Sequence, residues 1–216
     1  MEQKRFEQLK DQTKMMAKRT GACKEGFKHL VSSNNLGEFS SVIHKYWADI
    51  IQMLKKDHYQ FLYDAYPIYK DAFNRCGIWF NEPSNTGRVI LTEGEYNISG
   101  DALIWAYGKT KIKMFAQVRC IATDEVLVIA HNTCQVQLLD KARCSAYDMS
   151  VINAAGDSIV HAFGSSTILA GERAVIYAHG WRGIKAAGQS QVFAPTKYKI
   201  NTFGQASLTI KRISEL

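Results

Sequence analysis

The sequence predicts an α+β protein: a helical N-terminal domain over residues 1–85, then a three-sided parallel β-solenoid over residues 86–216. Three observations predict it. Before residue 80, apolar residues recur at spacings of three and four, the period of amphipathic helices. From about Asp101 to Ile210 the pattern changes to a strict repeat of eight. Between them, Asn81-Glu82-Pro83-Ser84-Asn85-Thr86-Gly87 is turn chemistry and marks the boundary.

The helical elements follow in order. Glu2–Arg19 is polar and basic, with a weak apolar stripe of Phe6, Leu9, Met15 and Met16. Lys24–Val31 is a second short helix, stopped by Ser32-Ser33-Asn34-Asn35. From Leu36, the positions Phe39, Val42, Ile43, Trp47, Ile50, Ile51 and Leu54 predict a third. An aromatic-rich stretch from Tyr59 through Phe61, Tyr63, Tyr66, Tyr69 and Phe73 predicts a fourth, broken or kinked by Pro67. Such a stripe is read first as a packing face and second as a ligand cleft.

The repeat is regular enough to write out. Steps of eight from Ala106 give Met114, Ala122, Ala130, Leu138, Ala146, Ala154, Ala162, Ala170, Ala178, Ala186, Ala194, Thr202 and Ile210. Two residues before each stands an aliphatic or Cys, from Ile104 through Cys120 and Cys144 to Leu208. Two residues after Ala106 comes a turn former, Gly108, then Asp124, Asn132, Asp140, Asp148, Gly156, Gly164, Gly180, Gly188 and Gly204 in the octads that follow. Each octad is therefore a short strand with alternating inward residues, followed by a bend.

Outward residues suggest how many octads close a coil. At a step of 24, Leu103, Leu127, Val151 and Val175 share one class, and Arg119 and Arg143 another. That grouping predicts three octads per coil and about 4.5 coils. One face is then apolar outside as well as inside, with Leu103, Trp105, Leu127, Ile129, Val151, Val175 and Tyr177 as an interface. Its expected cover is the helical half or a second protomer. The other faces carry Arg119, Arg143, Lys111, Lys113 and Lys185 as candidate anion contacts. On the same register Cys120 and Cys144 stack at one inward position of adjacent coils, and His131 and His179 sit two coils apart.

Composition limits the function classes. The chain has 216 residues, 46% hydrophobic and 22% charged, with a formal net charge of +7, so it is an ordered globular protein with a modest basic surplus. No apolar run is long enough to span a bilayer, and Met1–Arg19 lacks the apolar core of a secretory signal, so a cytoplasmic setting is expected. Five cysteines show no CxxC pairing, and reduced thiols are expected. No GxSxG, P-loop or HExxH pattern is present. Corner carboxylates such as Asp124 and Glu125 sit where turns need them. No catalytic, cofactor-binding or metal-ligating residue is assigned, and no cofactor is expected.

Three octads carry a resemblance: Ala102-Leu-Ile-Trp-Ala-Tyr-Gly-Lys109, Ser158-Ile-Val-His-Ala-Phe-Gly-Ser165 and Ala174-Val-Ile-Tyr-Ala-His-Gly-Trp181. They resemble the Asn-Ala-Thr-Val-x-Ala-Tyr-Gly repeats of octapeptide-repeat β-solenoid proteins of gut bacteria, their phages and mobile elements. Gly21-Ala22-Cys23-Lys24-Glu25-Gly26 and the Asn81-Glu82 boundary are similar to that group as well. The resemblance implies a fold and brings no activity with it. This chain departs from it at Pro195, Leu138-Leu139 and Arg182-Gly183.

The expected function is that of a non-enzymatic interaction or scaffold protein presenting flat solenoid faces, binding a protein partner or itself. A homo-oligomer would form through the C-terminal edge, where an uncovered coil invites pairing. Two rivals stand beside this reading. A nucleic-acid binder would use the five cations named above and the basic first helix. An enzyme would hold a pocket between the helical domain and the solenoid, near Tyr59, Tyr63 and Tyr66.

Overall fold

A computed structural model describes residues 2–46, 60–179, 183–196 and 199–211. The chain divides into two compact units, 1–80 and 81–216. Among the described residues, no helix is long and apolar enough to cross a membrane.

The first unit holds helices α1 (Glu2–Thr20), α2 (Lys24–Ser32), α3 (Leu36–Lys45) and α4 (Gln60–Arg75), then a short strand β1 (Ile78–Phe80). Local chemistry sets the helix starts. Asn35 caps α3 by accepting from the Glu38 N–H at 2.9 Å, and the Glu38 carboxylate accepts from the Asn34 N–H at 2.7 Å. This reciprocal pair satisfies donors that the first turn cannot. The core is aromatic: Phe39, Phe73 and Phe80 are fully buried, and Phe6 meets Phe39 edge-on with centroids 6.0 Å apart. Tyr66 and Tyr69 are each 5% exposed, so the described part of the aromatic stripe is a packing face. The kink in α4 falls at Tyr69 (φ −120°, ψ 23°), two residues beyond Pro67. Residues 47–59, which include Trp47, Ile50, Ile51, Leu54 and Tyr59, lie outside the described residues, as do the side chains of Phe61 and Tyr63.

The second unit is the β-solenoid. One sheet contains β2 (Arg88–Leu91), β4 (Leu103–Ala106), β6 (Arg119–Ala122), β8 (Gln135–Leu138), β10 (Val151–Ala154), β12 (Thr167–Ala170), β14 (Ile184–Ala186) and β16 (Ile200–Thr202), in that order. The other contains β3 (Glu95–Ile98), β5 (Lys111–Met114), β7 (Leu127–Ala130), β9 (Arg143–Ala146), β11 (Ile159–Ala162), β13 (Val175–Ala178), β15 (Gln191–Ala194) and β17 (Ser207–Ile210). Neighbouring strands are parallel, and from β3 and β4 onward their register is uniform, as where Ile152 pairs with Ile168 and Val160 with Ile176; β2 pairs with β4 one residue short of it, Val89 with Ile104. The inward columns read from the sequence are sealed. Ile104, Cys120, Val136 and Ile152 are at most 2% exposed, and the residues that end each octad strand from Ala106 to Ala194, alanine except for Met114 and Leu138, are no more than 6% exposed.

The register corrects the three-sided expectation. Partners differ by 16 residues, so two octads close a coil, the solenoid has two faces, and β4 to β17 make about seven turns. The physical reason lies in the bends. Seven of the described bends are tight turns closed by a backbone hydrogen bond three residues apart, such as the Ala142 N–H to the Leu139 carbonyl at 3.1 Å. A turn of that kind reverses the chain, whereas a triangular coil needs a gentler corner. Its second residue has positive φ: Asp124 (55°), Asn132 (57°), Asp140 (54°), Asp148 (55°), Gly156 (68°). Asn and Asp tolerate this region and Gly is free in it. Side-chain acceptors there also tie one turn to the preceding coil. Asp124 accepts from the Gly108 N–H at 3.1 Å, Asp148 from Asn132 at 2.9 Å, and Glu172 from Gly156 at 2.8 Å.

Gly156 has a second reason to be glycine. A Cβ there would stand 2.7 Å from the backbone N of Asp140, whereas one at Gly171 would meet nothing within 4 Å. Gly156→Ala is expected to lower the stability of the solenoid by about 1–3 kcal/mol, and Gly171→Ala to change it by less than about 0.5 kcal/mol. Paired urea midpoints of the two variants check this; equal midpoints would refute the close-approach account.

Candidate functional site

Two-sided closure redistributes the residues singled out in the sequence. Leu103, Trp105, Arg119, Val151 and Lys185 point outward from the first sheet. Lys111, Lys113, Leu127, Ile129, Arg143, Val175 and Tyr177 point outward from the second. The single apolar face expected from a 24-residue coil therefore does not form: Leu103 and Trp105 belong to one sheet, Leu127 and Ile129 to the other. Arg119 and Arg143 do not stack either. Arg119 lies beside Leu103 and Gln135, and Arg143 beside Leu127 and Ile159.

What the structure brings together is a different set. On the second sheet, β3, β5, β7, β9 and β11 line a hollow of about 440 Å³. Its floor is Leu127 and Ile129, each 39% exposed. Lys111 and Lys113 rise on one side, and Arg143, Ser145 and His161 on the other. Glu95 pairs with Lys111 at 2.6 Å, and the Lys113 ammonium lies 5.4 Å from the Phe115 ring centroid. The short Ser145 side chain leaves the floor open between basic walls. Members of both the expected interface and the expected anion contacts thus share one concavity.

Beside this groove run two stacks of rings that sequence reasoning missed. Phe115, His131, Tyr147, Phe163 and His179 follow one another at steps of 16, with centroids 4.6–5.1 Å apart and planes within 11°. His161, Tyr177 and Phe193 form the second stack at 4.8 and 5.3 Å. The signal was legible as an aromatic every 16 residues after the strand. His131 and His179 are accordingly three coils apart, not two.

The stacks meet in a histidine pair. His161 Nδ1 and His179 Nε2 are 3.3 Å apart, while the ring centroids are 5.6 Å apart at 12°. That centroid distance is the N···N distance plus one ring radius on each side, so the two nitrogens face each other along one line in a common plane. One ring donates and the other accepts, which only a pair carrying fewer than two added protons can do. Burial, then the neighbouring His179, then Arg143 hold the His161 imidazole below its ordinary pKa. Burial does the same at His179.

Cys120 and Cys144 lie on opposite sheets, β6 and β9, rather than at one stacked position, and both are free and buried. Burial pushes both thiols far up, with Cys134 adding to it and, for Cys144, also Cys120. Such thiols are apolar fillers and poor nucleophiles. Among the described residues no three of His, Cys, Asp and Glu gather as metal ligands. Of the tyrosines proposed to line an enzyme pocket, Tyr66 is buried and donates to Asn74 at 2.8 Å, Tyr59 lies outside the described residues, and the side chain of Tyr63 is not among those described.

Comparison with protein-family models, with curated proteins and with solved structures finds no match to the chain.

The histidine pair gives the solenoid a pH dependence of defined sign. Both imidazoles bind protons less readily folded than unfolded, so their contribution is complete above the ordinary imidazole pKa of 6.5 and is lost as pH falls through it. The thermal midpoint is expected to drop between pH 7 and 5.5, and the slope to flatten in the His161→Gln/His179→Gln variant. An unchanged slope in the double variant would place the titrating groups elsewhere.

Proposed function

We propose that the chain is a non-enzymatic interaction protein, a solenoid scaffold that acts through its surfaces and associates with copies of itself at the C-terminal coil. One observation carries the self-association. The inward columns, sealed in the inner coils, open in the last described coil: Leu208 is half-buried, Ile210 is 54% exposed, and Phe203 in the turn between the two final strands is 56% exposed. Strands β16 and β17 are the terminal strands of their sheets in the described chain and carry backbone groups available for pairing. Edges are ordinarily blunted by charge or proline, yet no charged residue and no proline occurs from Ile200 to Ile210. A second copy offers two strands at the same spacing and satisfies both sheets at once, and closed symmetry favours a discrete dimer.

The nucleic-acid reading draws less support. Arg119 and Lys185 lie on the sheet opposite Lys111, Lys113 and Arg143, and the aliphatic tier of Leu127 and Ile129 interrupts the latter three.

Light scattering on the intact chain across a wide concentration range tests the proposal. A mass above that of one chain is expected at high concentration. Ile210→Lys, a change at an exposed position, is expected to return the protein to a monomer with its fold intact. An intact chain that stays monomeric at its solubility limit sinks the idea.

A further inference from the structure

We propose that the groove on the second sheet docks an extended acidic peptide segment that carries aliphatic side chains, supplied by a partner protein. This site is separate from the C-terminal coil. Leu127 and Ile129 present exposed aliphatic surface at the centre of the groove, where an aliphatic residue of the segment loses its contact with water. The tiers carrying Lys113 and Arg143 flank that floor on opposite sides. With strands spaced at about 4.8 Å, they stand roughly 10 Å apart, the width of an extended chain whose alternate side chains reach both ways. Three cations against the single carboxylate of Glu95 make the rim complementary to acidic side chains. The hollow also falls within the size range of ligand sites.

The ring chemistry selects a peptide over a nucleic acid. Single-stranded nucleic acid needs free aromatic faces on which bases stack. Here the faces of Tyr147, Phe163 and Tyr177 are covered by the rings above and below them. The groove offers aliphatic carbon and point charges instead.

The test is fluorescence anisotropy on the full chain with a labelled peptide alternating glutamate and leucine. Binding in the micromolar range is expected, weakening as salt is raised. Lys113→Glu/Arg143→Glu should weaken it by about tenfold or more, and Ile129→Ser should weaken it as well. Arg119→Glu, on the opposite sheet, should leave it unchanged. Circular dichroism of each variant checks that the fold is kept; these side chains face outward, so it should be. The Ile210→Lys variant should bind as the parent does, which keeps this site distinct from self-association. The proposal is overturned by equal binding of a lysine–leucine peptide, by an unaffected double variant, or by binding of a single-stranded oligonucleotide in place of the acidic peptide.

Discussion

A tight reversing turn every eight residues is the constraint on which the rest of the solenoid depends. It sends each short strand back along the one before it, so two octads complete a coil and, from β4 onward, each strand residue lies beside its counterpart 16 positions away. The turn position of positive φ is held by Asp, Asn and Gly and, once each, by Glu172 and Ala116. The turn holds more firmly because Asp124, Asn132, Asp148 and Glu172 accept hydrogen bonds from the backbone of the preceding coil. Residues that read as corner carboxylates are thus links between coils. Their chemistry is consumed by structure.

Uniform register has two consequences. Inside, it builds one column per sheet that is alanine between Ala106 and Ala194 except at Leu138 on the first sheet and Met114 on the second, which lets the two sheets approach closely over an Ile, Val and Cys core. Outside, it multiplies whatever the sequence repeats. Rings at every sixteenth residue become stacks, with spacings near the distance between neighbouring strands. The same register gives each inner coil a lid made of the next one.

The faces acquire function from irregularity in an otherwise repeated frame. Leu127 and Ile129 interrupt a run of polar and basic tiers, and Ser145 is short where its neighbours are long. A hollow with an aliphatic floor and basic walls results. The His161–His179 pair stands at its end because one residue comes from a strand and the other from the bend of the next coil. Sequence separation of 18 placed them two positions off the repeat, which is why no period displayed them together.

The sequence by itself determined the strand-and-bend octad, the inward columns, the turn residues and the helical character of the described residues up to Arg75, because each of these depends on local periodicity and local backbone preference; Ile78–Phe80, read with the helical half, is a strand. It did not determine how many octads make a coil. Leu103, Leu127, Val151 and Val175 repeat at 24 and suggested three faces, while Phe115, His131, Tyr147, Phe163 and His179 repeat at 16 and belong to two. Outward chemistry is weakly constrained by folding, so a coincidence in it misled; the angle through which each bend turns the chain is a backbone property. Only the tertiary structure decided which outward residues share a face, since closure at 16 rather than 24 moves alternate octads to the opposite sheet. That is why Arg143 left Arg119 and joined Lys113, Leu127 and Ile129 instead.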